Sequence, residues 1–304
     1  MTDEATGLVE AGLSDDDLRK LEDLVEDALS SGREEALPML GYGEISLVLG
    51  WPPEHPRFAC KRLPPFRSRD RFDSYRDTLR DYLRALAAAG VRVVDTEMRG
   101  VGCGDGTIAG YVVQPVLPAD QVGPAILRTT DPAAGHPLVE AVVSTTAAAL
   151  SPSVGLDAQL ANWTWDGTGL TYIDVSTPLI WSSNDRPRLD LDLLAQAFPA
   201  VLRWPLRRFV APGILDTYRD LRKVYLDLTG NLIKERLDAW LPSFLERLNP
   251  RLKEALSEDE VHRYYHSDAR LWGVLLRIRK LDRTWRRTVR RRPYPFLLPG
   301  RIER

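Results

Sequence analysis

Residues Asp157 to Asp174 constrain this chain most; they read Asp-Ala-Gln-Leu-Ala-Asn-Trp-Thr-Trp-Asp-Gly-Thr-Gly-Leu-Thr-Tyr-Ile-Asp. Thr164, Trp165, Leu170, Thr171, Tyr172 and Ile173 favour extended backbone. Between them, Asp166-Gly-Thr-Gly169 is a turn sequence with two positions that tolerate positive φ. A β-hairpin with its tip near Gly167 and Thr168 follows. Symmetric pairing about Thr168 would set Asn162 across from Asp174, with Cβ atoms about 5 Å apart. An amide oxygen and a carboxylate at that separation suit a hard cation such as Mg²⁺. Asp157 lies just upstream, in the loop that feeds the first strand. Three oxygen-bearing side chains thus gather at the open end of the hairpin. Phosphoryl transfer uses such a set, with metal ligands to neutralise phosphate charge and a third group to orient the attacking hydroxyl.

The rest of the chain can house such a site. Its 304 residues are 44% hydrophobic and 28% charged, a soluble globular profile with room for one large or two small domains. A net charge of −2 gives no overall basic footprint, and no nucleic-acid partner is expected. Cys60 and Cys103 lack metal-site spacing and read as reduced thiols of a cytoplasmic protein. No apolar run reaches transmembrane length, and Met1-Thr-Asp-Glu lacks the basic and apolar regions of a signal peptide. Only six of the 41 lysines and arginines are lysine, so a lysine inside a strand draws attention.

Residues 1–36 form an acidic helical extension. Ser14 can cap a helix with Asp15, Asp16 and Asp17 in its first turn. Leu18, Leu21, Leu24, Val25 and Ala28 mark its apolar face, and Ser31-Gly-Arg ends it. Residues 37–118 read as five strands and one helix. Gly41 and Gly43 sit in an apolar run ending near Leu49, where glycine lets backbone N–H groups approach an anion. Lys61 follows Phe58-Ala59-Cys60 and projects from mid-strand, as a snorkelling surface residue or as a phosphate ligand. A helix over 68–89 buries Phe72, Tyr75, Leu79, Tyr82, Leu83 and Leu86. Residues 91–98 and 108–116 make two further strands, joined by the loop Gly100 to Gly106. From residue 119 to 304 the chain is mainly helical. An alanine-rich core helix covers His136 to Leu150, another helix runs from Ile214 to Leu228 and closes at Gly230-Asn231, and Ser257 caps a further one. A last helix covers about Asp268 to Arg290, and the basic stretch Arg270 to Arg292 offers contact with an anionic surface or a membrane.

This layout resembles the protein-kinase-like fold superfamily, an α+β fold with a five-stranded antiparallel sheet plus helix and a larger helical lobe. Gly41 and Gly43, with Ser46 where a third glycine is usual, match its nucleotide-covering loop. Lys61 matches its phosphate-binding strand lysine. Asp157 and Asn162 match its Asp-x-x-x-x-Asn catalytic segment, and Asp174 matches its metal-binding aspartate. Gln114 to Pro118 match the hinge that contacts adenine, which implicates Gln114 and Val116. The resemblance implies ATP and Mg²⁺ as cofactors, Asp157 and Lys61 as catalytic residues, and Asn162 and Asp174 as metal ligands.

Departures from the family narrow the reading. Gly155-Leu156 precede Asp157 where protein kinases carry His-Arg, and Gln159 replaces a lysine. Val175-Ser176 follow Asp174 where Phe-Gly is usual. These differences point to the aminoglycoside/choline-kinase-like branch and a small-molecule hydroxyl as acceptor. The alternatives are a nucleotide-binding scaffold without turnover and an atypical protein kinase. No glutamate on the 68–89 helix can pair with Lys61; Asp77 or Asp81 would have to serve. The sequence leaves the oligomeric state open.

Overall fold

The computed structural model describes residues 12–42, 47–196, 203–204 and 211–267. Gly43, Ser46 and the basic Arg270 to Arg292 segment lie outside the described residues. Those described form a mixed helix and sheet structure. A five-stranded antiparallel sheet contains β1 (Met39–Tyr42), β2 (Leu47–Trp51), β3 (Phe58–Arg62), β4 (Glu97–Gly102) and β5 (Ile108–Pro115), in the order β1-β2-β3-β5-β4.

Helix α1 (Asp15–Ser31) covers one face of this sheet, called here the back. Ser14 and Asp17 close a capping box at its start, and Gly32 ends it in the left-handed region at φ 75°. Leu18, Leu21, Val25 and Ala28 pack against Leu47, Leu49, Phe58, Cys60, Tyr111 and Val113 in one buried cluster. Leu24, expected on that stripe, is exposed, whereas Glu22 is buried.

Helix α2 (Arg69–Ala88), capped by Ser68, covers the front face. Strand alternation sends Val112 forward and Tyr111 and Val113 back. The front is closed by the rings of Phe66 and Phe72, which pack edge to face at 5.5 Å. They need Gly100 and Gly110, paired across β4 and β5, because a Cβ at either would lie within 2.8 Å of a ring. Two expectations change here. Residues 91–96 do not join the sheet; Val94 N–H instead donates to Tyr172 O at 3.0 Å. Gly100 and Gly102, expected in a loop, belong to β4.

The front-face core runs on into the helical part without a break. Leu138, Val139, Val142 and Val143 of the helix Pro137–Ala149 are fully buried, and Tyr225 OH donates to Val143 O at 2.8 Å. The expected helix over 214–228 is instead two, Ala211–Thr217 and Leu221–Lys234, with Asp220 capping the second. That second helix continues through Gly230, against which the Tyr264 ring packs, so this glycine serves close approach rather than termination. Among the described residues no helix is long and apolar enough to cross a membrane.

The hairpin forms as β6 (Trp163–Trp165) and β7 (Leu170–Tyr172), but its register differs by one. Trp163 pairs with Tyr172 and Trp165 with Leu170. Asp166 Oδ1 accepts from Thr168 N, Thr168 Oγ1 and Gly169 N, and Gly167 takes φ 90°. The connection is therefore the two-residue loop Gly167-Thr168, and its centre lies between those residues. Asn162 stands opposite Ile173, whose N–H donates to Asn162 O at 2.9 Å, and not opposite Asp174.

Candidate active site

β3 carries the first component. Cross-strand partners place Gly41, Val48, Lys61 and Val112 in one row. Partners directly opposite share a face, so Gly41 and Lys61 both lie on the front, two strand spacings or about 10 Å apart. Among the described residues nothing lies within 4 Å of the space that a Cβ on Gly41 would take.

The second component is the hairpin mouth. Lys61 Nζ donates to Asp174 Oδ1 at 2.8 Å, joining residues 113 apart in sequence. Ser176 Oγ donates to the same oxygen at 2.9 Å. Burial alone would raise the Asp174 pKa, but the Lys61 charge and the hydrogen bonds from Lys61 and Ser176 outweigh it and hold the carboxyl below its ordinary value. Asp77 and Asp81 do not reach Lys61: Asp77 pairs with Arg80, and Asp81 with Arg84 and Arg188.

The third component is the loop 155–162, held mostly by its backbone carbonyls. Tyr82 OH of α2 donates to Gly155 O at 3.0 Å, and Tyr172 OH and Asn162 Nδ2 each donate to Asp157 O at 3.2 Å. Trp163 Nε1 donates to Ala158 O at 3.2 Å. Burial first, with Asp157 and Asp174 adding, pushes the Tyr82 and Tyr172 phenols well above their ordinary range, so both stay donors. Asp157 Oδ1 accepts from Gln159 N at 3.2 Å, and Gln159 is tied to Asp227 of the helix Leu221–Lys234. α2 also holds the segment after Asp174, through Tyr75 OH to Ser176 O at 2.8 Å and Arg71 to Asp190 and Asp192.

The donor set fits a hard cation. Asp174 offers a carboxylate, and Asn162, whose Nδ2 is committed to Asp157 O, presents its Oδ1 as acceptor. Among the described residues, the three carboxylate and thiol side chains that cluster closely enough to share an ion are Glu22, Glu26 and Cys103, which lie behind the sheet. There Glu22 already receives Arg62 at 2.5 and 2.8 Å and Tyr111 OH at 2.5 Å, which leaves little for an ion.

The hinge residues differ from the rest. Gln114 Nε2 donates to Thr96 Oγ1 at 3.0 Å and to Ile173 O at 2.8 Å, so this side chain joins β5 to the residue before Asp174. Val116 N–H donates to Arg57 O at 2.8 Å. Both donors are thus engaged within the protein.

Sequence reasoning missed Glu22, Arg62 and Tyr111 behind the sheet, and Tyr75, Tyr82 and Ser176 at the site. One signal was present. Strand alternation puts Phe58, Cys60 and Arg62 on the face opposite Lys61, so an acid facing them was to be sought.

Residues 20–283 match a family described as a family of unknown function (DUF6206), and the chain belongs to that family. No curated protein matches it significantly in sequence. Among solved structures it is similar to WaaP in complex with acyl carrier protein, at 19% identity over 70% of this chain and 90% of that one, with a TM-score of 0.32. That score does not establish a shared fold.

Proposed function

We propose that this protein is a phosphotransferase of the protein-kinase-like type, dependent on ATP and Mg²⁺, acting on a hydroxyl of a small molecule. The observation that carries the reading is the meeting of Lys61 and Asp174 at 2.8 Å, beside the loop of Asp157 and Asn162. An ammonium on a sheet, a carboxylate and an amide oxygen are what a metal-bound triphosphate requires. In this reading the sheet and the helical part are the two lobes. Lys61 and the Gly41 to Ser46 segment hold the phosphates, and Asn162 and Asp174 hold the cation. When bound, that cation neutralises charge on the transferring phosphoryl group. Asp157 orients the acceptor hydroxyl.

Phosphate release from Mg·ATP across a metabolite panel tests the proposal, with Asp157→Asn and Asp174→Ala run in parallel. The expected result is one acceptor that stimulates turnover in the wild type, with loss of at least about 100-fold in each variant. Unchanged turnover in Asp174→Ala would sink the catalytic reading. Gly155-Leu156 before Asp157 and Gln159 after it, in place of the histidine and lysine of active kinases, favour a second reading, a nucleotide-binding protein without turnover. It predicts Mg·ATP binding and no phosphate release with any acceptor.

A further inference from the structure

We infer that the Lys61–Asp174 ion pair couples cation binding to nucleotide-phosphate binding, so that either alone binds poorly and the two bind well together. The inference rests on the nucleotide-and-metal reading above and adds a property of that site. Lys61 Nζ and Asp174 Oδ1 lie 2.8 Å apart, with side chains 19% and 36% exposed. The acids of α2 that could have held Lys61 in reserve are paired with arginines instead. Each member of the pair is therefore the counter-charge of the other.

Three consequences follow from charge alone. A polyphosphate without a cation has to draw Lys61 away, and this sets its own negative charge beside an unpaired Asp174. A cation without a polyphosphate has to draw Asp174 away, and it then sits beside an unpaired ammonium. When both arrive, Lys61 re-pairs with phosphate and Asp174 with the cation, so one ion pair becomes two. Breaking the pair with one ligand alone leaves like charges side by side, and exchanging both partners does not. The coupling is reciprocal, because linkage requires the same factor in both directions.

The test measures binding without turnover. Mn²⁺ alone is titrated by electron paramagnetic resonance, and ATP in excess EDTA by calorimetry, on the full chain. Lys61→Met frees Asp174, so Mn²⁺ alone should bind about tenfold tighter than to wild type. Asp174→Asn removes the repulsion, so ATP in EDTA should also bind about tenfold tighter. Both variants should bind Mn²⁺ and ATP together more weakly than wild type. The two variants report independently, and far-ultraviolet circular dichroism verifies that each is folded. If wild type binds Mn·ATP but neither variant gains affinity for the single component, the coupling is wrong and the nucleotide reading stands. If wild type binds no ATP with or without Mn²⁺, both fall.

Discussion

Lys61 and Arg62 are neighbours on β3, and each forms an ion pair on its own face of the sheet. Behind it, Arg62 meets Glu22 of α1 through two bonds, with side chains 9% and 3% exposed, and Tyr111 OH adds a third bond to the same carboxylate. In front, Lys61 meets Asp174 through one bond, and the pair is more open to water. The residue types suit the difference. A guanidinium is a planar fork that fills a carboxylate bidentately, whereas an ammonium is a mobile point charge that changes partners readily. Strand alternation thus sets a fixed charge and an exchangeable one side by side, the fixed one tying α1 to the strand that carries the other.

Stability measurements can break this contrast, and the largest effect should come from behind. Glu22→Ala leaves Arg62 charged, buried and unpaired, and should cost about 3–5 kcal/mol in urea unfolding. Replacing both partners, as in Glu22→Leu with Arg62→Met, should recover most of that loss, because no buried charge remains. A double variant as unstable as Glu22→Ala alone would mean that α1 is held by shape and not by the pair. Tyr111→Phe comes next. It removes a hydrogen bond to a charged group and should cost about 1.5–3 kcal/mol.

Much of this arrangement is written locally, and the rest is not. The Asp166-Gly-Thr-Gly169 turn, the Ser14 cap and the front-or-back alternation of β3 follow from residues a few positions apart. The hairpin register was off by one because the Asp166 side chain closes a two-residue loop, and a turn centred half a residue earlier moves every pair. Lys61 and Asp174 are 113 residues apart, so spacing alone could not name the partner. Asp77 and Asp81 were plausible by distance along the chain, yet each has an arginine one helical turn away that takes it. Glu22 stayed hidden because an acid beside an apolar stripe reads as its solvent edge, and only the arginine opposite explains its burial. The break before Leu221 was readable: Asp220 is a capping residue, and Tyr225 and Leu228 belong to the helix that it starts.

The closed back face also makes a prediction about pH. Burial pushes the Cys60 thiol up to about 12. Above pH 9 the unfolded chain releases that proton while the folded chain keeps it, so stability is full below pH 9 and falls as pH rises towards 12. Cys60 should contribute a loss of about 1 kcal/mol between pH 9 and pH 10. The loss is read as the difference between wild type and Cys60→Ala in urea unfolding at both values. Equal pH slopes in the two proteins would show that the back face admits water.

The smallest effect on stability should come from the front pair. Asp174→Asn keeps an oxygen to accept from Ser176 and removes only a charge that water already reaches. Exposed or half-exposed pairs contribute about 0–1 kcal/mol, so unfolding free energy should change by less than about 1 kcal/mol. Raising salt from 0.05 to about 0.5 M should shrink the difference further, since screening acts on the open pair more than on the closed one. Glu22→Ala should keep its full deficit at both salt concentrations. If Asp174→Asn unfolds as easily as Glu22→Ala, Lys61 is held as tightly as Arg62 and cannot change partners at low cost. If it unfolds like wild type, the front charge contributes little to stability, which leaves it available for ligand binding.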